Sequence, residues 1–441
     1  MSAEKEPLDG WQTVPFGELL LNSSRNGIYK AKLFHGRGVR VVNMGDLFAH
    51  ARLGEADMER IEVTELELER FALARGDLLF ARRSLTAEGA GKCTLVVSVP
   101  EPTVFESSII RARPDPDVAD AAFLYYLFRS PVGAYLLGTI RREVAVSGVT
   151  GGDLRQLRLT LPLLAQQVEI GRLLSALDDR IEVNRRIAET LEQIARSLFA
   201  SWFVDFDPVR GIAAVPEDIR RFFPDQLVES PIGSVPAGWE VVALGDLVEV
   251  TRGLSYTSAG LADEGLPLHN LDSIREGGGY KREGMKYYVG EFRERDRVRP
   301  GDVIVANTDL TQNARVIGYP AIVPRAFGDD GLYSQDLCCV RPRDGSPLTP
   351  RFLYLLLASQ RMRYQVASYA NGTTVLHLAM DGLRKPLIVN PPRELVECFD
   401  ALVGSMFDQQ EAVTAESKTL AELRDTLLPK LISGEIRLPA A

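Results

Sequence analysis

The chain contains an internal repeat, and a repeat limits the possible folds more than any other feature of its sequence. The stretch GWQTVPFGELL at residues 10–20 matches GWEVVALGDLV at residues 238–248, with the two tryptophans 228 positions apart. Two further matches follow in the same order: LARGDLLFARRS pairs with VRPGDVIVANTD at an offset of 225, and FLYYLFRSP pairs with FLYLLLASQ at 229. A nearly constant offset predicts a tandem duplication, in which each half builds the same kind of domain.

Each repeat is followed by a long segment with the heptad period of an amphipathic helix. In residues 173–210 the seam positions are Leu174, Leu177, Ile181, Asn184, Ala188, Leu191, Ala195, Leu198 and Trp202. In residues 392–436 they include Leu395, Phe399, Leu402, Met406, Val413, Leu420, Leu423 and Leu427. Each helix would be about 60 Å long. Antiparallel pairing is the simplest way to bury both apolar stripes.

These patterns predict an α+β chain in which two mixed α/β domains are separated by two long, antiparallel, coiled-coil-like helices. The predicted segments are a first domain at 1–160, a first helix at 161–206, a Pro-rich linker at 207–237, a second domain at 238–388 and a second helix at 389–437.

Composition narrows the class of protein further. The chain is 45% hydrophobic and 25% charged, has no apolar run of membrane-spanning length and lacks a signal-peptide core at its start, so we expect a cytoplasmic protein. The four cysteines form no Cys-x-x-Cys pair, which argues against a metal site or a disulfide framework. With a net charge of −9, the chain as a whole has no positive charge that would attract nucleic acid, but basic clusters on one face remain possible.

Two short motifs are similar to catalytic ones, and both depart from the pattern. EGAGKCT at residues 88–94 has Thr86 where a phosphate-binding loop needs its first glycine, and Cys93 where it needs a hydroxyl. NPPR at residues 390–393 is similar to the Asn-Pro-Pro-aromatic element of amino-methyltransferases, but Arg393 replaces the aromatic ring, so a Pro-led helix start is favoured. The residues supply no catalytic set and therefore predict a binding scaffold.

A duplicated scaffold suits DNA, whose half-sites recur at about one helical turn, roughly 34–36 Å. Arg and Lys would pair with phosphates, while Ser, Thr, Asn and Gln would read base edges. The candidates in the first half are Lys30, Lys32, Arg37, Arg82, Arg83, Ser84, Arg142, Ser147 and Thr150. Those in the second half are Tyr280, Lys281, Asn307, Thr308, Gln312, Asn313, Arg315, Asn371, Thr373 and Thr374. For each segment the alternative is an ordinary polar surface loop.

The long helices carry a resemblance to a known family. Residues 161–210, which end in SWFVDFDPVR, and the C-terminal LAELRDTLLPKLISGEIRL are similar to the spacer helices of the specificity subunit of type I restriction–modification systems. The resemblance covers nearly the whole chain. It implies that the domains at 1–160 and 238–388 are target recognition domains, each reading half of a bipartite DNA sequence, and that the helices at 161–206 and 389–437 set the spacing. It also implies that the chain is not an enzyme.

The same resemblance implies the partners: double-stranded DNA, two methylation subunits and restriction/translocase subunits. S-adenosylmethionine, ATP and magnesium would be bound by those subunits only. Trp202, Phe203 and Phe206 have two interpretations, as the closure of the helix pair or as a dock for a methylation subunit. Two other functions remain open: a stand-alone adenine DNA methyltransferase that uses NPPR, and a coiled-coil adaptor that does not bind DNA.

Overall fold

The fold is mixed α/β with two long helices, as the sequence predicts. A computed structural model describes residues 10–86, 88–142, 147–310, 314–372 and 375–438. The chain divides into two compact units: unit 1 is Met1–Glu182 with Lys418–Ala441, and unit 2 is Val183–Ser417. Within the described residues, no helix combines the length and the apolar character needed to cross a bilayer.

Unit 1 is built from short strands and short helices around a five-stranded sheet and a three-stranded sheet, with two further two-stranded pairings. Its strands are Gln12–Pro15, Arg25–Asn26, His35–Val42, Arg52–Leu53, Arg60–Ile61, Leu78–Ala81, Arg83–Ser84, Cys93–Val96, Thr103–Phe105, Ile109–Ala112, Ser147–Gly148 and Arg158–Leu161. Its helices are Phe16–Leu19, Lys32–Phe34, Met44–Ala49, Glu65–Phe71, Ala121–Arg129, Pro131–Ile140 and Gly151–Gln156. The central strand of the five-stranded sheet, Leu78–Ala81, is wholly buried. The helix Ala121–Arg129 packs its aromatic side chains into the same core.

Unit 2 is also built from short strands and short helices, and it has more strands than unit 1. Its strands are Leu227–Val228, Val235–Pro236, Glu240–Ala243, Val248–Arg252, Leu261–Ala262, Leu266–His269, Lys286–Tyr288, Arg297–Val298, Val303–Ala306, Thr308–Asp309, Pro320–Ile322, Gly331–Tyr333, Leu337–Pro342, Ala370–Asn371, Leu376–Leu378 and Leu387–Asn390. Its helices are Asp207–Arg210, Glu217–Arg220, Leu244–Leu247, Ser258–Gly260, Leu271–Ser273, Glu294–Asp296, Arg325–Phe327, Pro350–Ala358, Gln360–Ala367 and Met380–Leu383. The strand Val303–Ala306 is wholly buried, like Leu78–Ala81 in unit 1.

In each unit, the first strand of the repeat pairs antiparallel with the strand that precedes a long helix. Gln12–Pro15 pairs with Arg158–Leu161, and Glu240–Ala243 pairs with Leu387–Asn390. The strand Leu387–Asn390 is followed by the long helix that begins at Arg393, so NPPR is a Pro-led helix start as predicted. The pairing ties the beginning of each repeat to its end.

The Gly-Asp element of each repeat has a structural role. The carboxylate of Asp77 accepts the backbone N–H of Ala74 at 2.7 Å and two hydrogen bonds from Arg113, at 2.6 and 2.8 Å. In unit 2, Asp302 is bound in the same way by Arg341, at 2.9 and 2.6 Å. These hydrogen bonds raise the pKa of both arginines above the ordinary range. Each pair joins a turn to the neighbouring core strand.

The two long helices are Leu164–Phe203 and Arg393–Ile432, and they run antiparallel. In unit 1, Arg424 donates to Asp178 at 2.5 Å. In unit 2, Asn184 donates to Glu416 at 2.9 Å and Gln410 donates to Glu192 at 3.3 Å. Residues late in one helix therefore meet residues early in the other. Asn184 is buried in the seam, as the heptad pattern predicts.

The predicted seam of the second helix is wrong at two positions. Leu402 and Leu423 are 40% and 45% exposed, whereas Val396 and Val403 are fully buried. The first half of this helix packs on the core of unit 2 as well as on its partner helix. Its buried face therefore follows the contacts of a globular core rather than a strict heptad seam.

Candidate nucleic-acid interface

A short β-ribbon extends from the core strand of unit 1. Arg83–Ser84 pairs antiparallel with Ser147–Gly148, and a bridge from Arg142 to Gly148 extends the pairing. The buried strand Leu78–Ala81 leads directly into this ribbon, so the core fixes its direction. We name it the first ribbon. It brings together candidate residues that are more than 50 positions apart in the sequence.

An equivalent second ribbon extends from the core strand of unit 2. Thr308–Asp309 pairs with Leu376–Leu378, and Ala370–Asn371 adds an outer strand. Thr308 lies opposite His377 as Arg83 lies opposite Gly148, and Asp309 lies opposite Leu376 as Ser84 lies opposite Ser147. The register therefore agrees with the alignment of the two repeats, at offsets of 225 and 229.

The last side chain of the strands Arg83–Ser84 and Thr308–Asp309 accepts a backbone hydrogen bond from a residue further along the chain. Ser84 Oγ accepts the backbone N–H of Thr86 at 3.2 Å, and Asp309 Oδ2 accepts the backbone N–H of Val316 at 2.8 Å. Leu85 and Leu310 come directly afterwards and are 91% and 70% exposed. Sequence reasoning missed both leucines, although the repeat alignment places them at equivalent positions.

Exposed arginines lie close to both ribbons. Arg142 is 66% exposed and pairs with Asp153 at 2.9 Å, and Arg315 is 53% exposed and pairs with Glu276 at 3.3 Å. Exposed ion pairs contribute little to stability, so a guanidinium can exchange its carboxylate for a DNA phosphate at low cost. Lys281 and Asn371 are also exposed, and Arg82 is half-buried just before the first ribbon.

Several of the candidate DNA-contacting side chains already have hydrogen-bond partners within the chain. Asn307 is buried and donates to the carbonyl oxygen of Gln335 at 2.9 Å, and the buried Thr308 donates to Asn307 Oδ1 at 2.9 Å. Thr150 caps the helix Gly151–Gln156 by accepting the N–H of Asp153. Tyr280 is hydrogen-bonded to His269, and burial raises the pKa of its hydroxyl. In contrast to the expected base contacts, Asn307 and Thr308 hold the second ribbon in place.

The remaining basic candidates of unit 1 lie in or beside a different sheet. Lys30 pairs with Glu67 at 2.8 Å and lowers the pKa of that carboxyl. Arg37 is 75% exposed and pairs with Glu62, and Lys32 is exposed in the helix Lys32–Phe34. The structure thus does not group these three residues in the first ribbon. The candidates outside the described residues are Gln312, Asn313, Thr373 and Thr374.

The aromatic end of the first long helix is buried in the core of unit 2. Trp202, Phe203 and Phe206 are 5%, 8% and 1% exposed. Phe203 packs edge-to-face on Phe352 and Phe399, with ring centroids 4.9 and 5.0 Å apart. Because this chain already covers the three rings, their packing favours closure of the helix end over a dock for another subunit.

Known proteins share both the sequence pattern and the fold. The family model described as the type I restriction modification DNA specificity domain matches residues 9–193. The type I restriction enzyme HindI specificity subunit of Haemophilus influenzae is 26% identical, over 97% of this chain and 100% of its own length. The MjaIX specificity subunit of Methanocaldococcus jannaschii is 25% identical, over 72% of this chain and 69% of its own. The chain is therefore similar in sequence to type I specificity subunits along nearly its whole length.

A solved structure has a similar fold. The specificity subunit of a type I system from M. genitalium superposes with a TM-score of 0.58 over 98% of both chains, at 14% sequence identity. In this chain, the candidates for a nucleic-acid contact surface are the two ribbons and the exposed residues beside them.

Proposed function

We propose that this chain is a specificity subunit that reads a bipartite DNA sequence, with the first ribbon and its neighbours in one half-site and the second ribbon in the other. The observation that carries the proposal is the identical strand register of the two ribbons, each extended from a buried core strand. A two-stranded ribbon fits the DNA major groove, where base edges are distinguishable. Arg83, Arg142 and Arg315 would contact phosphates or bases.

The proposal includes a tandem duplication of the two recognition domains. The repeated motifs, the paired closing strands and the equivalent pairs Asp77–Arg113 and Asp302–Arg341 all support it. In the sequence, each copy of the repeated motifs is followed by one long helix. This order supports the predicted division into domains at 1–160 and 238–388, spacer helices at 161–206 and 389–437, and a linker at 207–237. The copies differ at the ribbons, Arg-Arg-Ser against Asn-Thr-Asp, as two half-sites of different sequence require.

We further propose that the subunit is a non-catalytic, cytoplasmic scaffold for two methylation subunits and for restriction/translocase subunits. S-adenosylmethionine, ATP and magnesium would be bound by those partners. The long helices are the candidate scaffold, since their outer faces carry exposed apolar side chains such as Val183 and Leu402 beside charged ones. The dock expected at Trp202, Phe203 and Phe206 would require these buried rings to be uncovered.

The two alternative functions are not favoured. A stand-alone adenine methyltransferase would use NPPR, but Asn390 ends a strand in this chain and Arg393 donates to the carbonyl oxygen of Gly345 at 2.6 Å. Cofactor binding by the isolated chain would support that alternative. A coiled-coil adaptor would leave the polar ribbons without a role, and it predicts that duplex DNA does not bind even with methylation subunits present.

The deciding experiment is methylome sequencing of cells that express this chain with its methylation subunit, against cells that lack only this chain. A bipartite methyladenine motif that disappears with the chain is the expected result, and it also identifies the target. An unchanged methylome, with an active methylation subunit, contradicts the proposal and supports the adaptor.

A further inference from the structure

We propose that Leu85 and Leu310 are specificity-determining residues, each of which packs against the 5-methyl group of a thymine in one half-site. The inference rests on the proposed DNA-reading function and adds to it an apolar contact at a stated pair of side chains. Both leucines lie at the tips of the ribbons, directly after Arg83–Ser84 and Thr308–Asp309.

The position of the leucines carries the argument. They are 225 residues apart, the same offset as the glycines of the preceding turns, Gly76 and Gly301. The three residues before each leucine differ completely between the repeats, whereas the leucine is the same. A single exposed apolar side chain is common on protein surfaces and means little. Two of them at one structural position, 91% and 70% exposed, indicate a shared contact.

The chemistry of the surroundings points to a base edge. The residues before the leucines are polar or charged, so the ribbon tips are otherwise suited to water, phosphates and hydrogen-bonding base edges. An exposed leucine gains free energy only from an apolar surface. In the major groove, which accepts a two-stranded ribbon, that surface is the 5-methyl group of thymine. Ser84 and Asp309 each accept a backbone hydrogen bond, from Thr86 and Val316, and these bonds restrain the backbone beside the leucines.

The test uses the complex of this chain with its methylation subunit and a duplex that carries the methylated target. Dissociation constants are measured by fluorescence anisotropy for duplexes in which uracil replaces thymine in one half-site at a time. The wild-type complex should bind the uracil duplexes about fourfold more weakly, the effect of one lost methyl contact. Leu85→Ala should weaken binding to the thymine duplex about tenfold and abolish the uracil penalty in one half-site only. Leu310→Ala should do the same in the other half-site.

Matched controls separate this contact from a general effect. Leu66→Ala changes a leucine that is 78% exposed on the helix Glu65–Phe71, which is not part of the first ribbon, and should leave all dissociation constants unchanged. Because Leu85 and Leu310 are exposed, their variants should melt at the wild-type temperature. The inference is overturned if both alanine variants bind as the wild type does, or if their losses are equal for thymine and uracil duplexes. A wild-type complex that binds no duplex overturns the proposed function itself, and this inference with it.

Discussion

At the scale of single residues, the two units stabilise their core strands with the same interaction. Asp77 is fully buried and is neutralised by Arg113, and Asp302 is bound by Arg341 with two hydrogen bonds. A buried carboxylate that loses its partner keeps its desolvation cost and loses the compensating attraction. We therefore expect the stability of each Gly-Asp turn to depend on its arginine partner.

Replacing this arginine should destabilise the chain strongly. Arg113→Met leaves the Asp77 carboxylate buried without its cation, and we expect the free energy of unfolding to fall by about 3 kcal/mol. Urea unfolding followed by circular dichroism measures the change. Arg75→Met, at an exposed arginine nearby, is the control and should stay within about 0.5 kcal/mol of the wild type. A loss below about 1 kcal/mol for Arg113→Met would show that the pair is not a structural necessity.

Gly253 is a second sensitive position, because backbone from another strand approaches it closely. An added Cβ would lie 2.3 Å from the carbonyl oxygens of both Tyr333 and Ser334. Gly253→Ala should cost about 2–3 kcal/mol and lower the melting temperature by several degrees. Gly138→Ala, in the helix Pro131–Ile140 where a Cβ has open space, should be neutral or stabilising by up to about 1 kcal/mol. Equal melting temperatures for the two variants would contradict this prediction.

His269 makes the stability of unit 2 dependent on pH. Burial lowers its pKa from 6.5 to about 4, so the unfolded chain binds this proton more readily than the folded one. The free energy of unfolding keeps its full value with respect to this group above pH 6.5. It falls as the pH drops from 6.5 towards 4, and the loss reaches about 2 kcal/mol at pH 5. His269→Phe removes this titration. Between pH 7 and pH 5, the melting temperature of this variant should decrease less than that of the wild type. An identical decrease would show that groups other than His269 cause the pH dependence.

At the scale of elements, the second long helix makes two kinds of contact along its length, with the core of unit 2 and with the first long helix. Near its beginning, the second helix buries Leu395, Phe399 and Val403 in the core of unit 2. Further along, polar contacts such as Asn184–Glu416 join it to the first helix. A buried polar pair in an otherwise apolar seam fixes the register of two helices.

The aromatic cluster of unit 2 should depend strongly on Phe399. Its ring contacts Phe203 at 5.0 Å and Trp202 at 5.6 Å between centroids, and its side chain is fully buried. Phe399→Ala should lower the free energy of unfolding by about 4 kcal/mol through the cavity that it leaves. Leu402→Ala, on the same helix but 40% exposed, should cost less than about 1 kcal/mol. Chemical unfolding of both variants compares the two costs, and similar values would show that the cluster is not a tight core.

At the scale of the whole molecule, the proposed function predicts that helix length sets the DNA spacer. Inserting four residues next to Asn184, with a matching insertion opposite at Glu416, adds about 6 Å to both helices. Because the ribbons are untouched, both half-sites should stay the same while the unspecified spacer between them lengthens. Methylome sequencing of cells that carry this variant reads both properties at once. An active variant that keeps the original spacer would refute the measuring role of the helices.

The sequence by itself determined the repeat, the places of the two long helices, the Pro-led start at Arg393 and the family resemblance. These features depend on local periodicity and on matching residues along the chain, which need no knowledge of distant contacts. The Gly-Asp turns were also visible in the sequence. Their partners Arg113 and Arg341 were not identified, because Arg113 directly follows the strand Ile109–Ala112 and Arg341 lies on Leu337–Pro342, and these strands reach the turns only in the folded sheet.

Only the tertiary structure decided which polar residues of the ribbons are available to a ligand. Asn307 and Leu310 are three positions apart, yet the polar side chain is buried and the apolar one is 70% exposed. The reason is that Gln335 and Cys338, from another part of the sequence, cover Asn307 and bind its amide. Residue type sets what a side chain prefers, but contacts from distant segments of the chain determine whether it meets solvent.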